Sequence, residues 1–212
     1  MKKFLRPGLL IVVAILMTGC VKLVTTVNED GSGTWEIAIL FSQDALLAGA
    51  ESGTVTDTSD ALFSLLSGES ITDEPSDIVF IAEERLRNGH NWIYVTGTIN
   101  SIEGWAEVGD AFERVFPEDD SSTLTLNTAS PNVTISDGII RVEVNLIADE
   151  AQGTDAGNDP FSSFVQTSFE FSLPGELIDH NGTIDPLTGN PVWVISGDSQ
   201  EDAHFFAESR IE

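Results

Sequence analysis

The residue best suited to do chemistry in this sequence is Cys20, the single cysteine of a 212-residue chain. It directly follows Met17-Thr18-Gly19, so an apolar residue and two small residues precede the cysteine. This pattern is typical of a bacterial lipobox, where a diacylglycerol thioether forms on the cysteine and the signal peptide is then cleaved. We therefore predict that Cys20 becomes the lipidated first residue of an exported, membrane-tethered protein.

The segment before Cys20 is built like a secretory signal. Three basic residues come first, and an apolar run of residues 9–16 follows. This run is shorter than the about 20 apolar residues that a transmembrane helix needs. It fits a signal peptide of residues 1–19 that is removed, leaving residues 20–212 as a single extracytoplasmic domain. The alternatives are an ordinary signal peptide or a short N-terminal anchor, either one with an incidental cysteine.

The chain is strongly acidic. It holds 9 Lys+Arg and 35 Asp+Glu, for a formal net charge of −26. Nucleic acids and anionic lipid surfaces attract basic patches, so this balance argues against both as partners of the domain. We interpret the charge as adaptation to a salty or calcium-rich exterior rather than as a site for a cationic partner. A lone cysteine also excludes an intrachain disulfide, so the domain must rely on its apolar core.

The sequence lacks the usual patterns of catalytic and metal-binding residues. His90, His180 and His204 show neither the HExxH motif nor another paired spacing of a zinc site. No GxSxG elbow, phosphate-binding P-loop or dinucleotide fingerprint occurs. With 35 acidic residues, a pair of carboxylates says nothing about glycoside hydrolysis. The sequence therefore predicts a protein without catalysis, cofactor or metal.

One acidic segment, residues 149–160, invites a comparison with calcium loops. Calcium takes about six to eight oxygen ligands, often from a flexible loop. The segment lacks the D-x-[DN]-x-[DN]-G core of an EF-hand, so we favour a solvated loop over a calcium site. Its oxygen-bearing residues are Asp149, Glu150, Asp155, Asn158 and Asp159.

Aromatic side chains are the other candidates for a binding role. Core packing is the simplest interpretation of their places on predicted strands and on a predicted helix. If the sheet curves around a cavity, the same side chains would line it and face an acyl chain or another apolar ligand. The candidates for lining such a cavity are Trp35, Trp92, Trp105, Phe169, Phe171 and Trp193.

The elements that must position these residues are mainly strands joined by tight turns. Apolar residues at steps of three or four predict a helix over residues 101–116, and residues 42–68 are predicted to be helical in part. Glycine-containing turns predict two hairpins, Val21–Asn28 with Trp35–Phe41 and Ile78–Arg87 with Trp92–Ile99.

The second half of the chain is predicted to be β-rich. Tight turns imply antiparallel pairing, and the fold class expected is α+β: a curved antiparallel β-sheet, or a partial barrel of hairpins, with about two helices packed on one face. His204–Ala207 is predicted as an edge strand. The other predicted strands are Thr123–Asn127, Asn132–Ile135, Gly138–Ala148, Phe164–Leu173, Gly182–Ile184 and Val192–Ile195.

Several of these motifs, in this order, resemble the LppM-like bacterial lipoproteins. A lipobox cysteine leads directly into a strand, followed much later by a Pro-Gly segment, an Asn-Gly turn and a strand with an apolar-Trp pair. The resemblance covers most of residues 20–209 and implies an envelope-exposed α+β domain that binds lipids or glycolipids without catalysis. The motifs are Cys20-Val21-Lys22-Leu23, Asp30-Gly31-Ser32-Gly33, Leu173-Pro174-Gly175-Glu176, His180-Asn181-Gly182 and Asn190-Pro191-Val192-Trp193.

These features predict an envelope lipoprotein held in the bacterial cell membrane through Cys20. Its extracytoplasmic domain is expected to bind a lipid, a glycolipid or another hydrophobic ligand in an apolar cleft. The alternative is a structural or assembly subunit that contacts other envelope proteins, for which exposed strand edges would serve. The resemblance to the LppM-like lipoproteins also implies a second membrane helix at the C-terminus, which these proteins often carry. This sequence ends at Glu212 without one, so Cys20 is expected to be the anchor.

Overall fold

The computed structural model describes residues 20–40, 64–87, 90–116, 130–146, 166–196 and 202–211. These residues form twelve strands, a 3₁₀ helix (Ile102–Glu107) and, directly after it, α1 (Val108–Val115). The strands are β1 (Cys20–Val27), β2 (Gly33–Leu40), β3 (Ile71–Asp73), β4 (Ile78–Arg87), β5 (His90–Ile99), β6 (Asn132–Ser136), β7 (Ile139–Leu146), β8 (Gln166–Ser172), β9 (Glu176–His180), β10 (Thr183–Ile184), β11 (Pro191–Ser196) and β12 (Ala203–Arg210).

Eight strands form the larger sheet, in the order β10-β11-β8-β1-β2-β5-β4-β3. Its centre consists of the two predicted hairpins, β1–β2 and β4–β5, which are confirmed with antiparallel register. Gly31 has a φ of 84° in the turn between β1 and β2, a backbone conformation that glycine adopts without a steric penalty. Local turn chemistry therefore accounts for the β1–β2 hairpin.

One pair of strands in the larger sheet is parallel. β1 runs alongside β8 in the same direction, with Cys20 opposite Gln166 and Leu23 opposite Phe169. Parallel neighbours require a long connection instead of a tight turn. Here the connection contains the helices and the first two strands of the second sheet, so this pairing has no local signal in the sequence.

The smaller sheet is antiparallel, in the order β6-β7-β12-β9. Asp137 and Gly138, between β6 and β7, have φ values of 53° and 72°, as the two central residues of a type I′ hairpin turn do. β12 pairs with β7 on one side and β9 on the other. It is an interior strand, so the prediction of an edge strand at His204–Ala207 is wrong.

Two different layers cover one face of the larger sheet. The smaller sheet lies over β8 and β11, where the Phe205 ring is 5.0 Å from Phe169 and 5.5 Å from Trp193 between centroids. Helix α1 lies over the other half, where the rings of Phe112 and Trp35 are 5.3 Å apart. All these side chains belong to one hydrophobic core.

The helix predicted over residues 101–116 is present, with its first part in the 3₁₀ conformation. Trp105 in that part is fully buried, and its Nε1 donates a hydrogen bond to the Gly31 carbonyl oxygen at 2.8 Å. In the last turn, Arg114 donates to both carboxylate oxygens of Asp73 on β3, each at 2.8 Å. These bonds hold the helix both to the β1–β2 turn and to the edge strand β3.

The predicted fold class is wrong. In place of an α+β fold with one curved antiparallel sheet or partial barrel under two helices, the described residues are mostly β-strand. They form two open sheets, one of them mixed. Alternation predicts a strand with one apolar face, but that face is equally well buried in one curved sheet or between two stacked sheets. The sequence pattern therefore favoured the wrong arrangement of correctly identified strands.

Some predicted elements lie outside the described residues. These are most of the segment 42–68, of which residues 64–66 are seen to be helical, the strand Thr123–Asn127 and the acidic segment 149–160. Two short strands, β3 and β9, were not predicted.

Candidate functional site

Cys20 is the first residue of β1 and pairs with Gln166 at the start of β8. Since β1 is an interior strand of the larger sheet, no linker separates this residue from the folded body. A lipid on Cys20 would therefore hold one end of the larger sheet directly at the membrane surface. We call this end of the sheet the anchor end.

An aromatic cluster, formed by Phe169, Phe171, Trp193 and Phe205, lies where the two sheets meet. Besides the contacts of Phe205 with Phe169 and Trp193, the rings of Phe171 and Trp193 are 4.7 Å apart. All four residues are buried, and Trp193 is the most accessible of them, with 8% of its surface exposed. Three of the six predicted cavity-lining residues are thus brought together, and the second sheet supplies the fourth ring.

A polar clip lies at the rim of the aromatic cluster, at Asn181. Its Oδ1 accepts hydrogen bonds from Trp193 Nε1 at 2.9 Å and from the Phe206 amide at 3.0 Å. Its Nδ2 donates to the His204 carbonyl oxygen at 2.8 Å. Because β11 belongs to the larger sheet and β12 to the smaller one, this single side chain bonds both sheets.

The other three predicted lining residues lie elsewhere. Trp35 and Trp105 are buried in the half of the core covered by the helices. Trp92 is half-buried on β5, and its register places it on the opposite face of the sheet from Trp35. The six residues therefore fall into three separate surroundings and do not form one common wall.

A buried carboxylate lies on the face of the larger sheet opposite the aromatic cluster, at Glu170 on β8. Its Oε2 is 2.5 Å from Lys22 Nζ on β1, and its Oε1 accepts a bond from Asn190 Nδ2 at 2.7 Å. Burial opposes ionisation of Glu170, but Lys22 and Asn190 outweigh it and hold its pKa below the usual range. The pair ties the anchor-bearing strand to its parallel neighbour.

A second charged group lies on the outer face of the smaller sheet. Arg141 forms ion pairs with Glu143 and Glu208 and lies over the Phe206 ring at 4.9 Å. The hydrogen bond from Arg141 holds the pKa of Glu143 below its usual range. His204 Nε2 is 3.4 Å from the same Glu143 carboxylate. The group is solvent-accessible and its charges are mutually paired, as in a structural surface network.

The histidines are dispersed. His90 is exposed at the start of β5, and His180 Nδ1 lies 3.0 Å from the Gly182 carbonyl oxygen. Within the part of the chain that the structure describes, no three His, Cys, Asp or Glu side chains are grouped so as to hold a metal ion. The helices among these residues also include none long and apolar enough to cross a membrane.

Two residues of the site were not singled out from the sequence. Phe205 is not among the predicted lining residues because its strand is predicted as an edge. Its alternation with Ala207 and Ser209, all buried, was the available signal. The sequence predicts only a turn at Asn181, and no local pattern indicates that the side-chain amide of a turn residue will accept a hydrogen bond from an indole of the other sheet.

Comparison with known proteins finds a similarity in structure. No protein-family model and no curated protein sequence matches this chain. The structure is similar to the NMR structure of the folded domain of LppM from Mycobacterium tuberculosis, with a TM-score of 0.49 and 10% sequence identity. The match covers 91% of this chain and 90% of that domain. At this level of identity, no residue role passes from that domain to this chain.

Proposed function

We propose that this protein is a non-catalytic, extracytoplasmic lipoprotein of a bacterial envelope, anchored by a lipid on Cys20. The observation that supports this most is the coincidence of the lipobox cysteine with the first residue of β1. Processing at that position leaves the whole described fold intact, because it removes only residues that precede the first strand.

The domain then binds a lipid or another hydrophobic ligand at the aromatic cluster. Support comes from four aromatic rings that two different sheets contribute to one contact, with the polar clip of Asn181 at its rim. Entry of an acyl chain requires Phe205 to separate from Phe169 and Trp193, which exchanges ring–ring contacts for ring–ligand contacts. The anchor raises the effective concentration of membrane lipid at this site.

The anchor is tested by replacing Cys20 with Ser in the full chain expressed in a bacterium that processes lipoproteins. Mass spectrometry of the N-terminal peptide should show the diacylglyceryl modification on Cys20 in the wild type, with cleavage before it. The Cys20→Ser protein should keep residues 1–19 and lack the lipid. An unmodified Cys20 in a cleaved wild-type protein would contradict the anchor.

Ligand binding is tested by fluorescence quenching of the lipidated protein in detergent with brominated phospholipid. With Trp92→Phe as the common background, quenching should be largely lost in Trp193→Phe and retained in Trp105→Phe, since Trp105 in the 3₁₀ helix is fully buried away from the cluster. Native mass spectrometry with a lipid extract of the host should then show a stoichiometric adduct. Equal quenching in both variants, or a clean mass without adduct, would contradict this site.

The second candidate function is an assembly subunit that contacts other envelope proteins. It is favoured by apolar side chains on the β10–β11 edge, where Leu187 is 90% exposed, Val194 62% and Ile184 40%. An edge strand of two residues with exposed apolar neighbours offers a partner both backbone and side-chain contacts. This function would be favoured if the wild type crosslinks to envelope proteins and Leu187→Ser does not, and if native mass spectrometry shows no lipid adduct.

A further inference from the structure

The backbone register defines one row of residues at the anchor end of the larger sheet. Val21 pairs with Ile39, Leu40 pairs with Trp92, and Trp92 pairs with Arg85. Cys20 precedes Val21 and Leu40 follows Ile39. Cys20, Trp92 and Arg85 therefore stand at the same height along the strands.

The β4–β5 hairpin continues past this row. Leu86 pairs with Asn91 and Arg87 pairs with His90, two further rungs beyond the height of Cys20. At about 3.3 Å per residue, these rungs extend about 7 Å past the start of β1. With strand spacings of about 4.8 Å, their β5 residues lie about 10 Å to its side and their β4 residues about 14 Å. The hairpin thus points to the side from which a lipid on Cys20 would leave the sheet.

This part of the hairpin has the chemistry of a membrane interface. Leu86 is 74% exposed, and Trp92, half-buried, stands in the row of Cys20. Tryptophan is enriched at the level of lipid headgroups. The sequence from Arg85 to Trp92, RLRNGHNW, contains two arginines and no acidic residue in a chain with 35 Asp+Glu. Arg85 forms ion pairs with Glu36 and Glu83, so its charge is compensated, and the segment itself adds no negative charge that an anionic surface would repel.

We propose that residues 85–87 and 90–92, the anchor-end hairpin, form a second contact with the bilayer that holds the lipid on Cys20. Leu86 enters the interfacial layer and Trp92 lies at its boundary. This inference rests on the proposed lipid anchor. A lipid on one residue leaves the domain free to rotate about its attachment, whereas two contacts about 14 Å apart hold the strands upright. The opposite end of the sheet then faces away from the membrane.

The same sheet offers a matched control at its far end. Leu187 lies in the connection between β10 and β11, before Pro191, and β11 runs from there back toward the anchor end, where Ser196 pairs with Gln166. Leu187 is even more exposed than Leu86. Apolar character and exposure are thus comparable, and position relative to Cys20 is the difference between the two leucines.

The test uses the lipidated full protein with an environment-sensitive fluorophore at Leu86→Cys or at Leu187→Cys. A lipidated Cys20 has no free thiol, so the introduced cysteine is the single labelling site of the chain. Each protein is reconstituted into vesicles of phosphatidylcholine with phosphatidylglycerol, with and without a lipid-borne spin-label quencher. Asn91→Cys, the cross-strand neighbour of Leu86, serves as a second probe in case the first variant folds poorly.

We expect the probes at positions 86 and 91 to shift to shorter emission wavelength on vesicles and to be quenched from the bilayer, while the probe at 187 reports water. Probes at both ends in water, or both in the bilayer, would overturn the proposal of an upright contact. A protein that fails to float with vesicles and carries no lipid on Cys20 would overturn the anchor itself, and with it this inference.

Discussion

The indole Nε1 of Trp193 donates a hydrogen bond to Oδ1 of Asn181 at 2.9 Å, and this bond links the two sheets. Asn181 follows β9 of the smaller sheet, while Trp193 lies on β11 of the larger one. The indole ring meets its hydrophobic partners on one side and this amide at its polar edge, as a buried tryptophan requires. The bond lies at the rim of the aromatic cluster and holds the two sheets together there.

Replacing Asn181 with Ala should lower the free energy of unfolding by about 1–2 kcal/mol. The variant loses three hydrogen bonds: those that Oδ1 accepts from Trp193 and from the Phe206 amide, and the one that Nδ2 donates to the His204 carbonyl oxygen. Each contributes about 1 kcal/mol net, and less where water can replace the lost partner. Urea unfolding followed by tryptophan fluorescence measures the change. Asn132→Ala, at an exposed position of β6, should leave the midpoint unchanged. An equal effect of both variants would contradict a role of the clip.

Replacing Gly182 with Ala should be destabilising because of Trp193. A Cβ at position 182 would lie 2.6 Å from Trp193 Cε2, closer than such atoms approach in proteins. We expect a loss of about 1–3 kcal/mol, as for other overpacked sites. In the Trp193→Phe background the smaller ring leaves room, so the added cost of Gly182→Ala should fall. Strict additivity of the two substitutions would show that the contact does not matter.

The ion pair of Asp73 with Arg114 should make the free energy of unfolding depend on pH in the acidic range. Hydrogen bonds from Arg114 lower the pKa of Asp73 to about 2 from 3.8. In the unfolded state the carboxylate binds its proton near 3.8, so between these values the unfolded state holds more protons and is favoured as the pH falls. The stabilisation is therefore complete above about pH 4 and lost by about pH 2.

Asp73→Asn should accordingly lose about 1–2 kcal/mol at neutral pH, with solvent at Arg114 reducing the effect. The difference from the wild type should shrink as the pH falls from about 4 to about 2. Chemical unfolding at a series of pH values measures it. Glu74→Gln, the exposed neighbouring residue, makes the same change of charge and should follow the wild-type curve. A pH-independent difference for Asp73→Asn would contradict the linkage.

Substituting Lys22 alone should destabilise the chain more than substituting both Lys22 and Glu170. In Lys22→Met, the buried carboxylate of Glu170 loses its ammonium partner, and we expect a loss of about 2–3 kcal/mol. Glu170→Gln keeps an acceptor for Asn190 Nδ2, so the double variant should lose less than Lys22→Met alone. Thermal unfolding of all three variants measures this, and a double variant that is the least stable would contradict it.

Much of the local structure could be predicted because its causes lie within a few residues. Asp137-Gly138 predicts a hairpin turn, since its backbone conformation disfavours most other residues. Apolar spacing likewise predicts the helix that carries Trp105. The lipobox ending at Cys20 is equally local, and lipidation stays a prediction from those residues.

The sequence by itself determined the hairpins and the helix. Only the tertiary structure decided that β1 pairs with β8, that β12 is an interior strand and that Phe205 meets Phe169 and Trp193. The physical reason is that an apolar face specifies burial but not a partner. Partners that no tight turn joins, such as β1 and β8, are selected by the packing of the whole core, to which every strand contributes at once.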